Sequence, residues 1–183
     1  MDRKRFALLL ILLWVIMGIL VVNDSRVNGY STPIVIYVDD DNTNGPWDGT
    51  IEHPYRCIQQ AIDNASLGDT IIVEVGEYRE NVYVDKSLSI IGVVREETIV
   101  DGGGRGDTVS ILARNVTLCN LTIKDSGEEY WFTAGIRVCG DKTKIKNCII
   151  SDNNLGIFVK RVVDVTICGN IFYGDGLTFS IYD

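Results

Sequence analysis

Three stretches of this chain repeat one phrase. "VTLCNLTIKDSG" (116–127), "TKIKNCIISDNNLG" (143–156) and "DVTICGNIFYGDG" (164–176) each run alternating apolar residues into an asparagine, continue with apolar residues and end at glycine. Aligning Asn120, Asn147 and Asn170 gives spacings of 27 and 23 residues, and aligning GIRV (135–138) with GIFV (156–159) gives 21. A period in the twenties is the mark of a solenoid. Within each copy the apolar pairs Val116/Leu118, Ile136/Val138, Ile157/Val159 and Val165/Ile167 alternate with period two, which is strand periodicity and not helical periodicity. Three short strands per turn, separated by Gly, Asn and Asp corners, satisfy that spacing. The same alternation without the phrase runs through TIIVEV (70–75), NVYV (81–84), LSIIG (88–92), TIVDGGG (98–104) and TVSI (108–111), which supply the first coils.

One such coil cannot bury its inward side chains alone, so stability has to come from stacking on neighbouring coils. Asparagines at matching corners predict a ladder of side-chain amides, Asn120, Asn147 and Asn170, bonded to adjacent turns. A solenoid end presents open strand edges that need a cover. Upstream, PYRCIQQAIDNASLG places Ile58, Ala61, Ile62 and Ala65 on one helical face, with Pro54 before it and Gly68 after it, and predicts a helix capping the first coil. GLTFSIYD (176–183) alternates and stops without a visible C-terminal cap, which fits either a longer natural product or an edge that docks onto a partner or a second copy.

The chain has 183 residues, 46% of them hydrophobic, enough for one domain with a real core. Its 17 Lys and Arg against 25 Asp and Glu give a net charge of −8, and no basic stripe follows the first few residues, which argues against nucleic acid as a partner. Arg3, Lys4 and Arg5 precede an uncharged apolar run from Phe6 to Val22, so residues 1–29 read as a signal peptide or a signal anchor that places the rest outside the cytoplasm, secreted or held at the cell surface through the membrane. Five cysteines, Cys57, Cys119, Cys139, Cys148 and Cys168, leave one unpaired within the chain in any scheme. Cys119 and Cys168 occupy equivalent places two copies apart, about 10 Å at ordinary strand spacing, beyond disulfide reach. Small unreacted thiols are the simpler expectation. Sequons stand at Asn23, Asn64, Asn115 and Asn120, and Asn64 and Asn115 are the better acceptors if Asn120 belongs to the ladder.

The segment 36–92, IYVDDDNTNGPWDGTIEHPYRCIQQAIDNASLGDTIIVEVGEYRENVYVDKSLSIIG, followed by Asn-cornered repeats, resembles exported right-handed parallel β-helix proteins of the pectin-lyase-like superfamily, in particular the NosD-like surface proteins of archaea. The resemblance implies an all-β fold: a right-handed parallel β-helix of about four coils over 70–183, behind a lead-in segment and an N-terminal capping α-helix over 30–69. It leaves chemistry open, because this fold hosts lyases, hydrolases, esterases, binding proteins and adhesins. GEYREN (76–81) is similar to the first Gly-x-Tyr-x-Glu stretch of pectin methylesterases, yet the later stretches carrying that family's catalytic aspartates and arginine have no counterpart. Glu80 therefore reads as a corner residue. The NosD resemblance implies copper-site maturation, but the sole histidine is His53, and Met1 and Met17 both lie in the export segment, so copper finds little to hold it.

DDNTNG (40–45) fits the first half of a calcium loop, with Asp40, Asn42 and Asn44 as oxygen ligands and Asp48 or Glu52 closing the shell, although the twelfth position is Ile51. An Asx-rich turn accounts for the same residues. Asn120 to Gly135 spans 15 residues where Asn147 to Gly156 spans 9, so an insertion lies in SGEEYWFTA (126–134). Insertions in solenoids bulge outward and commonly build the binding face. This one carries Glu128, Glu129, Tyr130, Trp131 and Phe132, acids and aromatics suited to sugar hydroxyls and ring faces, though the same rings could simply pack on the coil. Arg137, Lys160 and Arg161 follow the Gly positions as a candidate base for a calcium-dependent lyase, or as solvated charge. Binding of a polysaccharide or other extended ligand is the leading expectation, ahead of a polysaccharide lyase or glycoside hydrolase and of an assembly module.

Overall fold

The computed structural model describes residues 32–128 and 132–182, so residues 1–29, expected to be a signal peptide or signal anchor, lie outside the described residues. Strand β1 (Val35–Val38) leads in, followed by helix α1 (Ile58–Asn64). Five coils of three strands follow: β2 (Thr70–Val73), β3 (Gly76–Arg79) and β4 (Val82–Val84); β5 (Ser89–Gly92), β6 (Thr98–Asp101) and β7 (Val109–Ile111); β8 (Thr117–Cys119), β9 (Thr122–Lys124) and β10 (Ala134–Val138); β11 (Lys144–Lys146), β12 (Ile149–Ser151) and β13 (Leu155–Lys160); β14 (Thr166–Cys168), β15 (Ile171–Tyr173) and β16 (Leu177–Tyr182). The strands line up in three parallel sheets: A, β1-β2-β5-β8-β11-β14; B, β3-β6-β9-β12-β15; and C, β4-β7-β10-β13-β16. This is a right-handed parallel β-helix of about five coils, one more than the sequence period suggested. The excess arises because 70–111 packs two complete coils without the Asn phrase, held by the same apolar alternation.

Inward positions stack like on like. Ile36, Ile71, Ile90, Leu118, Ile145 and Ile167 form one column of sheet A. Tyr78, Val100, Ile123, Ile150 and Phe172 form one in sheet B, and Val82, Val109, Ile136, Ile157 and Phe179 one in sheet C. The middle members are almost fully buried, and each side chain of that size removed from water stabilises the fold by roughly 1.5–3 kcal/mol. The outermost coil differs: Phe179 is 39% and Ile181 63% exposed. At the other end α1 buries Ile58, Ala61 and Ile62 against the first coil, as its spacing predicts.

The corner between sheets A and B carries the amide ladder. Asn120 Nδ2 donates to the Gly92 carbonyl at 2.6 Å, Asn147 Nδ2 donates to Asn120 Oδ1 at 2.8 Å, and Arg95 Nη1 donates to Asn147 Oδ1 at 2.8 Å. Both asparagines sit in the left-handed region, at φ 62° and 51°, which Asn tolerates better than other side-chain-bearing residues. Strand register puts Gly169, not Asn170, in this column, because Cys119, Lys146 and Cys168 are partners and the next residues follow in step. Asn170 lies one place on, below Cys148, where its Oδ1 accepts from the Cys148 N–H and its Nδ2 donates to the Ile145 carbonyl. It ties two coils together without being a ladder residue.

Asn147→Gly keeps the backbone conformation and loses the two amide bonds, for an expected cost of about 1–2 kcal/mol, while Asn147→Ala adds a left-handed penalty of about 1–2 kcal/mol. Urea unfolding of the two variants tests this; equal stabilities for Gly and Ala would refute the role of the corner conformation.

Candidate functional site

The insertion leaves the solenoid at a closed neck. Ser126 and Thr133 are buried, and the Thr133 hydroxyl bonds to the Gly127 carbonyl across its base. The coil below pins both sides: Ser126 N–H donates to Asn153 Oδ1 at 3.1 Å, Asn154 N–H donates to Ser126 Oγ at 3.0 Å, and Asn154 Nδ2 donates to Thr133 Oγ1 at 3.1 Å. Between these anchors Glu128 is exposed, and Glu129, Tyr130 and Trp131 lie outside the described residues. Phe132 is 59% exposed and leans on Phe158, ring centroids 5.9 Å apart, within the range of favourable tilted aromatic pairs.

Phe158 belongs to an outward row of sheet C in which Tyr83, Ser110, Arg137, Phe158 and Ser180 are register partners on successive strands. The Arg137 guanidinium lies 4.8 Å from the Phe158 ring centre, a cation–π distance. It is held there by a two-point ion pair with Asp107 and a bond to the Phe132 carbonyl. Asp107 Oδ1 also accepts the Ala134 N–H at 2.8 Å, so one carboxylate fixes both the arginine and the end of the insertion. Phe132, Arg137, Phe158 and Lys160 line an open cleft of about 260 Å³. Of the residues picked from sequence, the structure brings Phe132, Arg137 and Lys160 together here. Phe158 and Asp107 were not among them. The alignment of GIRV with GIFV already placed Phe158 beside Arg137; Asp107 sits in a coil that lacks the phrase and gave no signal.

No protein-family model and no curated protein matches the chain. Solved structures do. A pectin methylesterase in complex with a hexasaccharide has a TM-score of 0.56 at 17% identity, covering 81% of this chain and 54% of that one. The deglycosylated pectin methylesterase of Aspergillus niger has a TM-score of 0.54 at 14% identity, covering 86% of this chain and 63% of that one. The fold of this chain is similar to theirs, a right-handed parallel β-helix. The chain thus spans little more than half the length of these esterases, and likeness at such identity extends to the fold alone.

Within this β-helix the Gly-x-Tyr-x-Glu stretch is structural at each letter. A Cβ on Gly76 would stand 1.9 Å from Asp40 Oδ1, so glycine admits the lead-in loop against β3. Tyr78 is buried, its hydroxyl donating to the Glu74 carbonyl at 3.0 Å. Glu80 turns under the helix: its carboxylate accepts the N–H groups of Ile58 at 2.7 Å and Gln59 at 2.9 Å, serving as the N-terminal cap that Cys57 does not provide. Lys86 answers at the other end, donating to the carbonyls of Ile62, Asp63 and Ala65. The corner reading of Glu80 thereby acquires a specific task.

The residues picked for calcium are held by separate partners. Asp40 accepts the Glu77 N–H at 3.3 Å, and Asn42 donates to the Pro54 carbonyl at 2.9 Å while its Oδ1 accepts the Asn44 N–H at 3.0 Å. Asp48 accepts from both the N–H and the hydroxyl of Thr50, which hold its carboxyl below the usual range. The His53 carbonyl closes the same turn by accepting the N–H groups of Asp48 and Gly49. All five cysteines are free thiols, and burial pushes the Cys148 thiol up to about 12, which removes it from thiolate chemistry at neutral pH.

Burial pushes the Glu80 carboxyl above the ordinary glutamate value, outweighing its two N–H partners. The native state then keeps this proton at a pH where the unfolded chain has released it. The associated stability is complete below the ordinary glutamate pKa and is lost as pH rises through the higher native value. The difference in urea midpoint between wild type and Glu80→Gln should therefore shift against the wild type as pH rises across that window; a pH-independent difference would contradict the assignment.

Proposed function

We propose that this β-helix binds an extended, acidic glycan along the outer face of sheet C. The observation that carries the reading is the cleft itself: an exposed Phe132 ring beside Phe158, with the Lys160 ammonium and the Arg137 guanidinium on the same lining. The exposed Phe132 ring offers the apolar face of a sugar ring a stacking surface, Arg137 is a donor group already balanced by Asp107, and the Lys160 ammonium favours carboxylate-bearing residues on the chain. A pectin methylesterase of the same fold in complex with a hexasaccharide supports an extended saccharide as the ligand class. Export to the cell surface, in the manner of NosD-like proteins, accompanies this reading and rests on residues 1–29.

Binding is favoured over cleavage by the state of Asp107. A glycoside hydrolase needs two working carboxyl groups roughly 5–10 Å apart. Asp107 is committed to Arg137 and to the Ala134 N–H, a positioning arrangement and not that of a free acid or base. Self-association through the coil β14–β16 is a second reading, favoured by the exposure of Ile171, Tyr173, Leu177, Phe179 and Ile181. Sedimentation equilibrium separates it from glycan binding.

Affinity electrophoresis through gels containing polygalacturonate or a neutral glucan, with cleavage assayed in the same mixtures, tests the proposal. Retardation by polygalacturonate should weaken about fivefold or more in Phe132→Ala, and Lys160→Gln should weaken it for the acidic polymer only. Retardation unaltered by both substitutions, or chain cleavage, would overturn it.

A further inference from the structure

A second cleft opens on the side of the solenoid where β3 turns into β4 and β6 into the glycine-rich turn DGGGRG (101–106). Arg79, Glu80, Asn81, Gly102, Gly103 and Arg105 line it, and it holds about 300 Å³. That volume is at the lower end of small-ligand sites.

Two facts define this cleft: two arginines converge on it, and its walls are braced from separate segments. The first is charge. Lys124 is paired with Glu77, Asp101 and Asp125, Arg137 with Asp107, and Arg95 with Glu96. Arg79 and Arg105 form no ion pair within 4.0 Å among the described residues, although both face one cleft. The single carboxylate in the lining, Glu80, has its two oxygens turned onto the N–H groups of Ile58 and Gln59, so it does not neutralise either guanidinium.

The second fact is construction. Gly103, at φ 63°, leaves the space that Arg79 occupies: a Cβ there would lie 3.0 Å from Arg79 Nε. Asp101 Oδ1 accepts the Gly103 N–H at 2.7 Å and fixes the turn from within. Asn81 Nδ2 donates to the carbonyls of Arg105 at 2.7 Å and Asp107 at 2.8 Å, which holds the Arg105 backbone over the β3–β4 corner. Two guanidinium groups are thus delivered to one polar hollow by separately braced segments.

From this arrangement we infer an oxyanion-binding site for a sugar carrying a tetrahedral anionic group, a phosphate or sulfate ester. Each guanidinium is a planar fork of donors that matches two oxygens. A carboxylate has two oxygens and keeps its acceptor sites in one plane. A tetrahedral group presents three terminal oxygens and receives two forks from different directions, which is what Arg79 on the strand and Arg105 on the turn provide. The hollow beside them, lined by Asn81 and backbone, is the place for the sugar. This site belongs to sheet B and its turns and is independent of the Phe132 cleft.

The test is titration of the full 15N-labelled chain by NMR with glucose 6-phosphate, glucose 6-sulfate, inorganic phosphate and galacturonate as separate probes. Saturable shifts at the amides of Asn81, Gly103 and Arg105 are expected with at least one ester. The same ester should bind at least tenfold more weakly to Arg105→Gln and to Arg79→Gln, with the charge-matched control Lys144→Gln unchanged. Which ester binds tighter identifies its source, and inorganic phosphate matching the ester would confine recognition to the oxyanion and remove the sugar from the proposal. Galacturonate equalling the esters, shifts surviving in both arginine variants, or no saturable shift at all would overturn the site. Amide spectra of the variants that retain the wild-type dispersion show that lost binding is not lost folding.

Discussion

Everything in this molecule depends on parallel strands of successive coils meeting in register. A short strand of three or four residues has no stability alone, and its backbone donors and acceptors are satisfied only by the coils above and below. That requirement fixes the side chains too. Because side chains alternate across a strand, a slip of one residue would turn a whole coil inside out, carrying Ile123 and Ile150 to solvent. The stacked columns of Ile, Val and Leu make such a slip expensive at every rung at once. The corners take up the remaining freedom, and Asn120 and Asn147 do so by combining a left-handed backbone with an amide that bonds from coil to coil.

Helix α1 closes this stack by a different kind of complementarity. Its seven residues are too few to be helical without support, and support comes from both ends. Glu80 and Lys86, from the first coil, place an acid at the helix N-terminus and an ammonium at its C-terminus, each with the sign the helix dipole favours. The first coil orders its own cover.

The parts of this structure legible in the sequence are those that the repeat states more than once. The strand alternation and the coil period fall into that group, and the insertion that carries Phe132 shows as a departure from it; the capping helix was legible from its own one-face spacing. Where one coil was written differently, reading by wording failed. Asn170 looks like the third ladder asparagine because the word matches, yet register puts Gly169 there, since glycine meets the left-handed requirement with no amide. The two coils of 70–111 lack the phrase, and the coil count came out one short. Site residues divide the same way. Arg137 beside Phe158 follows from repeat alignment, whereas Asp107, Arg79 and Arg105 come from unphrased coils and gain meaning only through bonds made at long sequence separation.

The same register that constrains the inside leaves the outside free. An outward position on one coil has neighbours about 4.8 Å away on the next, so any outward pair is a ready-made two-point contact. Sheet C uses this to set Arg137 beside Phe158, and sheet B to set Lys124 beside Asp101. One outward pair is a charge on an aromatic ring in an open cleft; the other is a closed ion pair that gives a ligand little to bind. The difference lies in supply of counter-charge from neighbouring coils. Asp107 reaches Arg137 from one side and leaves the Phe132 ring exposed beside it, while Lys124 is surrounded by Glu77, Asp101 and Asp125. Arg79 and Arg105 go further: the only carboxylate of their cleft is occupied at the helix terminus. Capping the helix with Glu80 therefore does two things at once, closing the solenoid and leaving two guanidinium groups beside it without an ion-pair partner among the described residues.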